Sequence, residues 1–327
     1  MDGSSPTPRP DAAPDTWAVV VSWNGAALLP GCLGALLRST RPAHVVVVDN
    51  GSADDSAAAV ARFPGVEWLP MGRNAGFAEA NNAALRRALA AGARWIALVN
   101  PDVVVDPTWI ERLVAAGEAH PEAGVLGGLL VFADEPRRVN STGLVLDRWG
   151  RAFDRDFGVP LAELATPDGP VEGVTGGAAL LRADMLRRTG LFDPAYFAYY
   201  EDVDLSLRAA AAGYAAWYAS SARAAHGYGK SFGPGSPRQR YLLARNHLRF
   251  VAAHQPVLRA AATATLFTVA RATLKAPLEL VRGRPAHALA HLRAAGAGAV
   301  AAGEQLARRL SRLRRGASAP ARGPDDG

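Results

Sequence analysis

The chain is 327 residues long and 49% apolar, with one cysteine and a formal net charge of +6. The lone Cys32 excludes a disulfide scaffold and a cysteine metal site, and the apolar content excludes global disorder. The charge is divided: Met1 to Asp204 carries 17 basic and 26 acidic residues, a net of −9, whereas Leu205 to Gly327 carries 19 and 4, a net of +15.

The first fifteen residues are rich in Pro, Ser and Asp and lack the apolar core of a secretory signal, so they read as a disordered leader. Trp17 to Val21 is a short apolar run ending in Ser22-Trp23-Asn24-Gly25, and an apolar-periodic stretch from Ala27 to Leu37 follows. His44 to Val48 repeats that arrangement, its four consecutive valines ending at Asp49-Asn50-Gly51-Ser52 before a helix over Asp54 to Arg62. The pattern then predicts a strand over Val66 to Leu69, a helix over Ala78 to Ala91, and a strand over Trp95 to Val99 that ends at Asn100-Pro101-Asp102. Pro107 opens the next helix, with Asp106 as its N-cap. Unbroken apolar strands alternating with helices predict an α/β fold whose mainly parallel sheet is flanked by helices on both faces. Ligands of such sheets bind beyond the carboxyl ends of the strands, where Asn24, Asp49, Asn74 and Asp102 all fall.

After Val125 to Phe132 the alternation stops, and residues 134 to 172 read as irregular. Val171 to Leu181 is strand-like, interrupted at Gly176-Gly177; helices over Asp184 to Thr189 and Glu201 to Ala212 close on Gly190 and Gly213. Tyr214 to Ala219 is a strand, and His226 to Pro237 a glycine-rich loop. From Gln239 onward the chain reads as helical and basic. The expected organisation is therefore a catalytic domain over 16–237, a helical basic extension over 238–315 and a disordered tail over 316–327. No run reaches the ~18 to 20 apolar residues of a spanning helix. The best, Ala260 to Ala270, is bounded by Arg259 and Arg271, so a cytoplasmic protein without a long spanning helix is expected.

The chemistry-bearing residues each have a plain alternative. No G-x-G-x-x-G follows the first strand, which argues against a dinucleotide enzyme. Gly229-Lys230-Ser231 resembles the end of a phosphate loop, but Ala224 stands where its first glycine belongs. Asn140-Ser141-Thr142 matches a glycosylation acceptor by chance. Asp49 either caps its turn or accepts from the imide N–H of a pyrimidine ring, with guanine also open. Asp102, aimed outward by Pro101, suits a hard cation, Mg²⁺ or Mn²⁺, that takes few protein oxygens. Glu201, Asp202 and Asp204 are more acids than a helix start needs. Glu201 and Asp204 share a face, while Asp202 points about 100° away and suits a general base. His226 reads equally as a structural residue or as part of the same rim.

Together these residues form an ordered set: Val20-Val21-Ser22-Trp23-Asn24, Val48-Asp49-Asn50-Gly51-Ser52, Arg73-Asn74-Ala75-Gly76-Phe77 leading to Asn81-Asn82, and Asn100-Pro101-Asp102. It continues through Gly176-Gly177, Gly190-Leu191-Phe192-Asp193, Tyr200-Glu201-Asp202-Val203-Asp204-Leu205 and His226. The set resembles the inverting GT-A glycosyltransferases of family 2, in particular their bacterial rhamnosyltransferase-like branch. The resemblance implies a nucleotide-diphosphate sugar donor, with dTDP-rhamnose leading, and a lipid-linked or cell-envelope glycan acceptor. It implies Asp49 on the base, Asn74 on the nucleotide, and Asn24, Gly76, Asn100 and Glu201 around the donor. Gly176 and Gly177 would let backbone approach donor or acceptor. Asp102 and His226 would hold the metal, and Asp202 would be the catalytic base. In one departure, Asn100-Pro101-Asp102 stands where the family has Asp-x-Asp. The residues by themselves also leave open a nucleotide-sugar hydrolase or pyrophosphorylase, or a non-catalytic membrane- or nucleic-acid-binding scaffold.

The basic extension needs a separate reading. At 100° per residue Arg271, Lys275 and Arg282 cluster opposite Leu266, Val269 and Leu280, with Pro277 expected to kink or split the helix. Leu306, Leu310 and Leu313 recur among arginines. The extension either packs as solvated helices or lies peripherally on an anionic inner membrane face. Aromatic residues are nearly absent there, so no nucleic-acid partner is expected.

Overall fold

The computed structural model describes residues 15–227 and 235–317. Successive side chains of a strand point to opposite faces, so a run of buried valines needs an apolar layer on each side of the sheet. β1 (Thr16–Ser22) and β2 (His44–Asp49) have this arrangement. Val20, Val45 and Val47 join one core cluster with Leu33 and Trp109; Val19, Val46 and Val48 join another with Ala84 and Leu181. Each fully buried valine contributes roughly 1.5–3 kcal/mol. With β3 (Glu67–Pro70) and β4 (Trp95–Val99), these strands are parallel neighbours in the order β4-β1-β2-β3. Helices α1 (Leu29–Leu37), α2 (Ser56–Ala61) and α3 (Phe77–Ala90) separate them along the chain. Ser22, Asp49 and Pro70 stand in register, so the loops carrying the predicted site leave from one edge.

Beyond β4 the sheet becomes mixed. β5 (Val103–Val105) follows directly on Asn100-Pro101-Asp102, and α4 (Trp109–Ala119) comes next. Asp106 is not the cap of α4: its N–H still bonds Arg223 across the sheet, so the helix starts two residues after Pro107, with Thr108 in the cap position. β6 (Ala123–Phe132) is followed by a segment that the sequence pattern leaves irregular. It holds four three-residue strands, β7 (Val139–Ser141), β8 (Leu144–Leu146), β9 (Ala152–Asp154) and β10 (Gly169–Val171), too short to show a period. Asn140, Ser141 and Thr142 are all at most 2% exposed, which removes the glycosylation reading.

β11 (Ala178–Arg182) lies antiparallel between β4 and β6, and α5 (Ala183–Thr189) and α6 (Glu201–Ala211) follow. β12 (Ala215–His226) runs past the expected end at Ala219. Its pairing with β6 shifts register between Ala219 and Arg223, and the Ser220 N–H in the bulge bonds Asp168 at 2.8 Å. The bulge brings the Ala222 carbonyl so close to Gly128 that a Cβ there would collide with it. Past the bulge, β12 pairs antiparallel with β5.

The chain divides into two compact units: Met1–Val145 with Ala152–Ser231, and Leu146–Arg151 with Phe232–Gly327. Asp15, expected in the leader, bonds Arg41 at 2.9 and 3.0 Å. Residues 1–14 and 318–327, and Gly229-Lys230-Ser231, lie outside the described residues. The second unit contains α7 (Pro237–His254), α8 (Val257–Ala270), α9 (Ala276–Val281) and α10 (Pro285–Ala317). A π turn, Arg271–Lys275, joins α8 to α9, so the interruption expected at Pro277 takes the form of a change of helical pitch just before it. Helical backbone nonetheless extends through the 25 residues Val257–Val281, whose most apolar window has a mean hydropathy of 1.2. By length and composition that helix is long enough to cross a bilayer, against the sequence expectation. Arg271, read there as a boundary, is buried beside His247 (3.4 Å).

The Asn81-Asn82 pair proves to be structural. Asn81 Nδ2 donates to the Phe77 carbonyl (2.9 Å); buried Asn82 donates to the Phe192 carbonyl (2.9 Å) and accepts from the Phe192 N–H (3.1 Å). Asn82→Ala strands both Phe192 backbone groups and should cost about 2–4 kcal/mol in urea unfolding, with Asn81→Ala costing less.

Candidate active site

The loops at the β1 and β2 ends are fastened by asparagines. Asp49 is 8% exposed, and both its carboxylate oxygens accept from the Ser52 N–H, at 3.1 and 3.4 Å. The turn-capping role is therefore present, and the oxygens keep further acceptor capacity. Asn24, at φ 52°, accepts the Ala53 N–H (2.8 Å) and donates its own to Ser52 Oγ (2.9 Å). Asn74 Oδ1 accepts from the Gly76 N–H (3.1 Å) and from Asn50 Nδ2 (3.3 Å). Asn50, 3% exposed, also accepts the Ala75 N–H (2.8 Å), so it holds this loop although the sequence reading gave it no role of its own. Gly76 has φ 87°, and a Cβ there would lie 2.5 Å from the Phe197 carbonyl oxygen. Only glycine lets this loop touch the turn that leads into α6.

Asn100 donates its N–H to the Gly177 carbonyl at 2.8 Å. The Asp102 side chain is 3% exposed, and its buried Oδ1 has no hydrogen-bond partner among the described residues. His226 Nε2 stands 3.6 Å from that oxygen, because the β5–β12 register sets His226 opposite Val103. His226 Nδ1 lies 2.8 Å from the Asn140 amide oxygen, which only accepts; the neutral ring thus carries its proton on Nδ1 and leaves the Nε2 lone pair toward Asp102. A buried carboxylate oxygen and an imidazole lone pair fit a divalent ion that fills its other positions with phosphate oxygens and water. No larger metal-holding cluster of His, Cys, Asp or Glu occurs among the described residues. Burial, aided by the Asp102 charge, pushes the Cys32 thiol up and keeps it unreactive.

Asp202 stands at the start of α6. Its Oδ2 accepts the Gly176 N–H (3.1 Å) and its Oδ1 the Val203 N–H (2.8 Å). Burial outweighs these two bonds and holds the carboxyl above the usual aspartate range. Glu201 is 5% exposed, and its Oε2 has no hydrogen-bond partner among the described residues. Burial, with the Asp202 and Asp204 charges, raises its carboxyl well above the ordinary value. Asp204 accepts from Arg208 Nε (2.8 Å) and Tyr196 Oη (3.3 Å), a fastening role. Phe197, Tyr199 and Tyr200 all have positive φ (67°, 70° and 72°), and each such residue costs on the order of 1–3 kcal/mol. The contacts of this turn thus outweigh considerable backbone strain.

One ionisable group was missed in the sequence. Asp154, on β9, accepts from Ser141, and its carboxyl is pushed up to about 6 by burial and by the Asp202 charge, against the lowering effects of Ser141 and His226. Its charge acts on the two residues predicted as base and metal ligand, so it belongs to their surroundings. Between 3.8 and about 6 the folded form binds the extra proton, so this group's contribution to stability falls as pH rises through that window. Asp154→Asn should therefore gain on the wild type with increasing pH across it. Urea unfolding at several pH values would show two parallel curves if this reading were wrong.

Residues 17–190, more than half of the chain, match the family described as Glycosyl transferase family 2. The N-acetylglucosaminyl-diphospho-decaprenol L-rhamnosyltransferase of Mycobacterium tuberculosis is 31% identical over 234 residues, covering 64% of this chain and 74% of that protein. Among solved structures, mannosyltransferase PcManGT from Pyrobaculum calidifontis, in complex with GDP-Man and Mn2+, superposes with a TM-score of 0.53 at 18% identity, covering 92% of this chain and 89% of its own. GalNAc-T7 with UDP, GalNAc and Mn2+ gives 0.55 at 15% identity, over 75% of this chain and 48% of its own. At such identities the two structures show the shared fold alone, a GT-A sheet flanked by helices. The chain belongs to glycosyl transferase family 2 and is a glycosyltransferase of the GT-A fold.

Proposed function

We propose that the protein transfers a hexose, with rhamnose from dTDP-rhamnose as the leading donor, to a lipid-linked or cell-envelope glycan acceptor with inversion. The observation that carries the mechanism is the Asp202 carboxylate, raised by burial and oriented by the Gly176 N–H at 3.1 Å. A carboxylate so placed takes the proton of an acceptor hydroxyl as that oxygen bonds the anomeric carbon. The bond from that carbon to the diphosphate breaks on the opposite face, and the nucleoside diphosphate departs. The similarity to the mycobacterial N-acetylglucosaminyl-diphospho-decaprenol L-rhamnosyltransferase, 31% identical, supports rhamnose and a lipid-linked acceptor.

In this reading Asp49 receives the imide N–H of a pyrimidine base, while Asn24, Asn74 and Gly76 hold the nucleotide. Asn100, Gly176, Gly177 and Glu201 shape the space around the sugar diphosphate. Asp102 and His226 would hold Mg²⁺ or Mn²⁺. Such an ion supplies positive charge against the departing diphosphate. The catalytic domain is assigned to 16–237 and the basic extension to 238–315. The extension keeps a cytoplasmic enzyme on the anionic inner face of the membrane, near a lipid-linked acceptor. The reading includes no nucleic-acid partner.

Asp202→Asn should lower kcat by about 10²–10⁴ while donor binding persists. Because burial raises the Asp202 carboxyl, the acid limb of the wild-type rate should lie above the ordinary aspartate value of 3.8. Nucleoside diphosphate release, followed with and without acceptor and divalent ion, reads both. Undiminished transfer by the asparagine variant would remove Asp202 as base, and release independent of acceptor would mark a hydrolase.

A further inference from the structure

The Val257–Val281 segment reverses the polarity of a soluble helix. The side chains it buries are small or charged: Ala260, Thr263, Ala264, Arg271, Ala276 and Glu279. Its large aliphatic side chains face outward, with Leu258 87%, Val281 86% and Leu274 66% exposed, and Leu266, Val269 and Leu280 about half exposed. Twelve of the sixteen exposed large hydrophobic side chains among the described residues belong to this second unit. In water such a face is unfavourable, and patches of this kind mark contact surfaces.

The charges around it choose the occupant. Arg259, Lys275, Arg282 and Arg284 are exposed on the segment and in the turn after it. The one acid of the stretch, Glu279, is buried within 3.5–3.9 Å of Arg282, Arg284 and Arg240. The outward charges are thus all positive. A second copy of the chain would set this basic rim against an identical one. A bilayer with anionic headgroups supplies both an apolar layer and the opposite charge. The inner side of the segment is committed to α7 and α10, and four charged residues interrupt it, so it lies in the membrane plane rather than across it.

We infer that the outward aliphatic face of Val257–Val281 inserts into the headgroup–acyl boundary of an anionic membrane. The inference rests on the peripheral-membrane reading above and replaces a purely electrostatic contact with an inserted one. Leu289, Leu292 and Val300 of α10 are exposed within roughly 80° of one another and extend the apolar character of the unit.

The test uses the full chain with sedimentable vesicles, either of phosphatidylcholine alone or with phosphatidylglycerol added. The wild type should bind the anionic vesicles, with high salt weakening but not abolishing the binding. The triple variant Leu266→Ser, Leu274→Ser, Val281→Ser should bind at least about tenfold less. All three sites are exposed, so unchanged circular dichroism and unchanged turnover of a water-soluble acceptor should accompany the loss. Cys32 is buried, so Leu274→Cys offers one accessible thiol for a polarity-sensitive fluorophore, whose emission should move to the blue on anionic vesicles. If the triple variant binds like the wild type, or salt abolishes binding, insertion is overturned while the peripheral reading stands. If the wild type binds no vesicle, both fall. If the triple substitution only turns a dimer into a monomer, the face serves self-association and the inference is wrong.

Discussion

Two adjacent glycines tie the chemical halves of the site together. The Gly177 carbonyl accepts the Asn100 N–H, fixing the Asn100-Pro101-Asp102 turn, while the Gly176 N–H donates to the Asp202 carboxylate. Two neighbouring residues therefore set the position of the proposed metal ligand against that of the proposed base. No side chain could replace these backbone groups at that range. A Cβ on Gly177 would stand 2.9 Å from Asn100 Nδ2, and one on Gly176 would stand 3.1 Å from the Phe77 ring. Phe77 follows Gly76, whose own close approach to Phe197 joins the donor loop to the strained turn before α6. Three loops far apart in sequence thus meet at glycines, where a Cβ would crowd its neighbours.

The second constraint is the bulge of β12. β12 keeps β6 as a neighbour on both sides of the register shift, while its other neighbour changes from β10 to β5, which sets His226 opposite Val103. The bulge needs Gly128 for room and Asp168 to satisfy the Ser220 N–H. A histidine that looks solitary in the sequence thereby meets Asp102, more than a hundred residues earlier, with its tautomer set by Asn140 on a third strand. Bulges commonly redirect side chains in this way.

The legibility of the sequence follows the range of the interactions involved. The first four strands and their helices show because a doubly covered parallel strand is a local pattern, and the edge carrying Asn24, Asp49 and Asp102 follows from it. Asp154 does not show. It lies on a three-residue strand, and its neighbours Asp202 and His226 come from elements that no local period links to it. Asn82 and Asn50 show another limit: both sit in motif segments, and their hydrogen bonds hold backbone. A short motif does not distinguish a residue that touches substrate from one that shapes the loop. Arg271 looked like the end of an apolar run because composition does not reveal which way a charged side chain turns.

The three acids at the start of α6 take three states from one stretch of helix. Asp204 is neutralised by Arg208, and its second contact, Tyr196, lies on the turn that it steadies. Glu201, buried on the same side of the helix, is raised well above its ordinary range by burial and by the Asp202 and Asp204 charges. Asp202 alone combines partial exposure with two N–H donors that favour its charged form. Environment thus gives the proposed base, a deeply buried carboxyl and a structural anchor different surroundings, the usual way one fold separates the properties of neighbouring acids. In the sequence Glu-Asp-Val-Asp it is Asp202, the proposed base, that helical phase turns away from the other two acids.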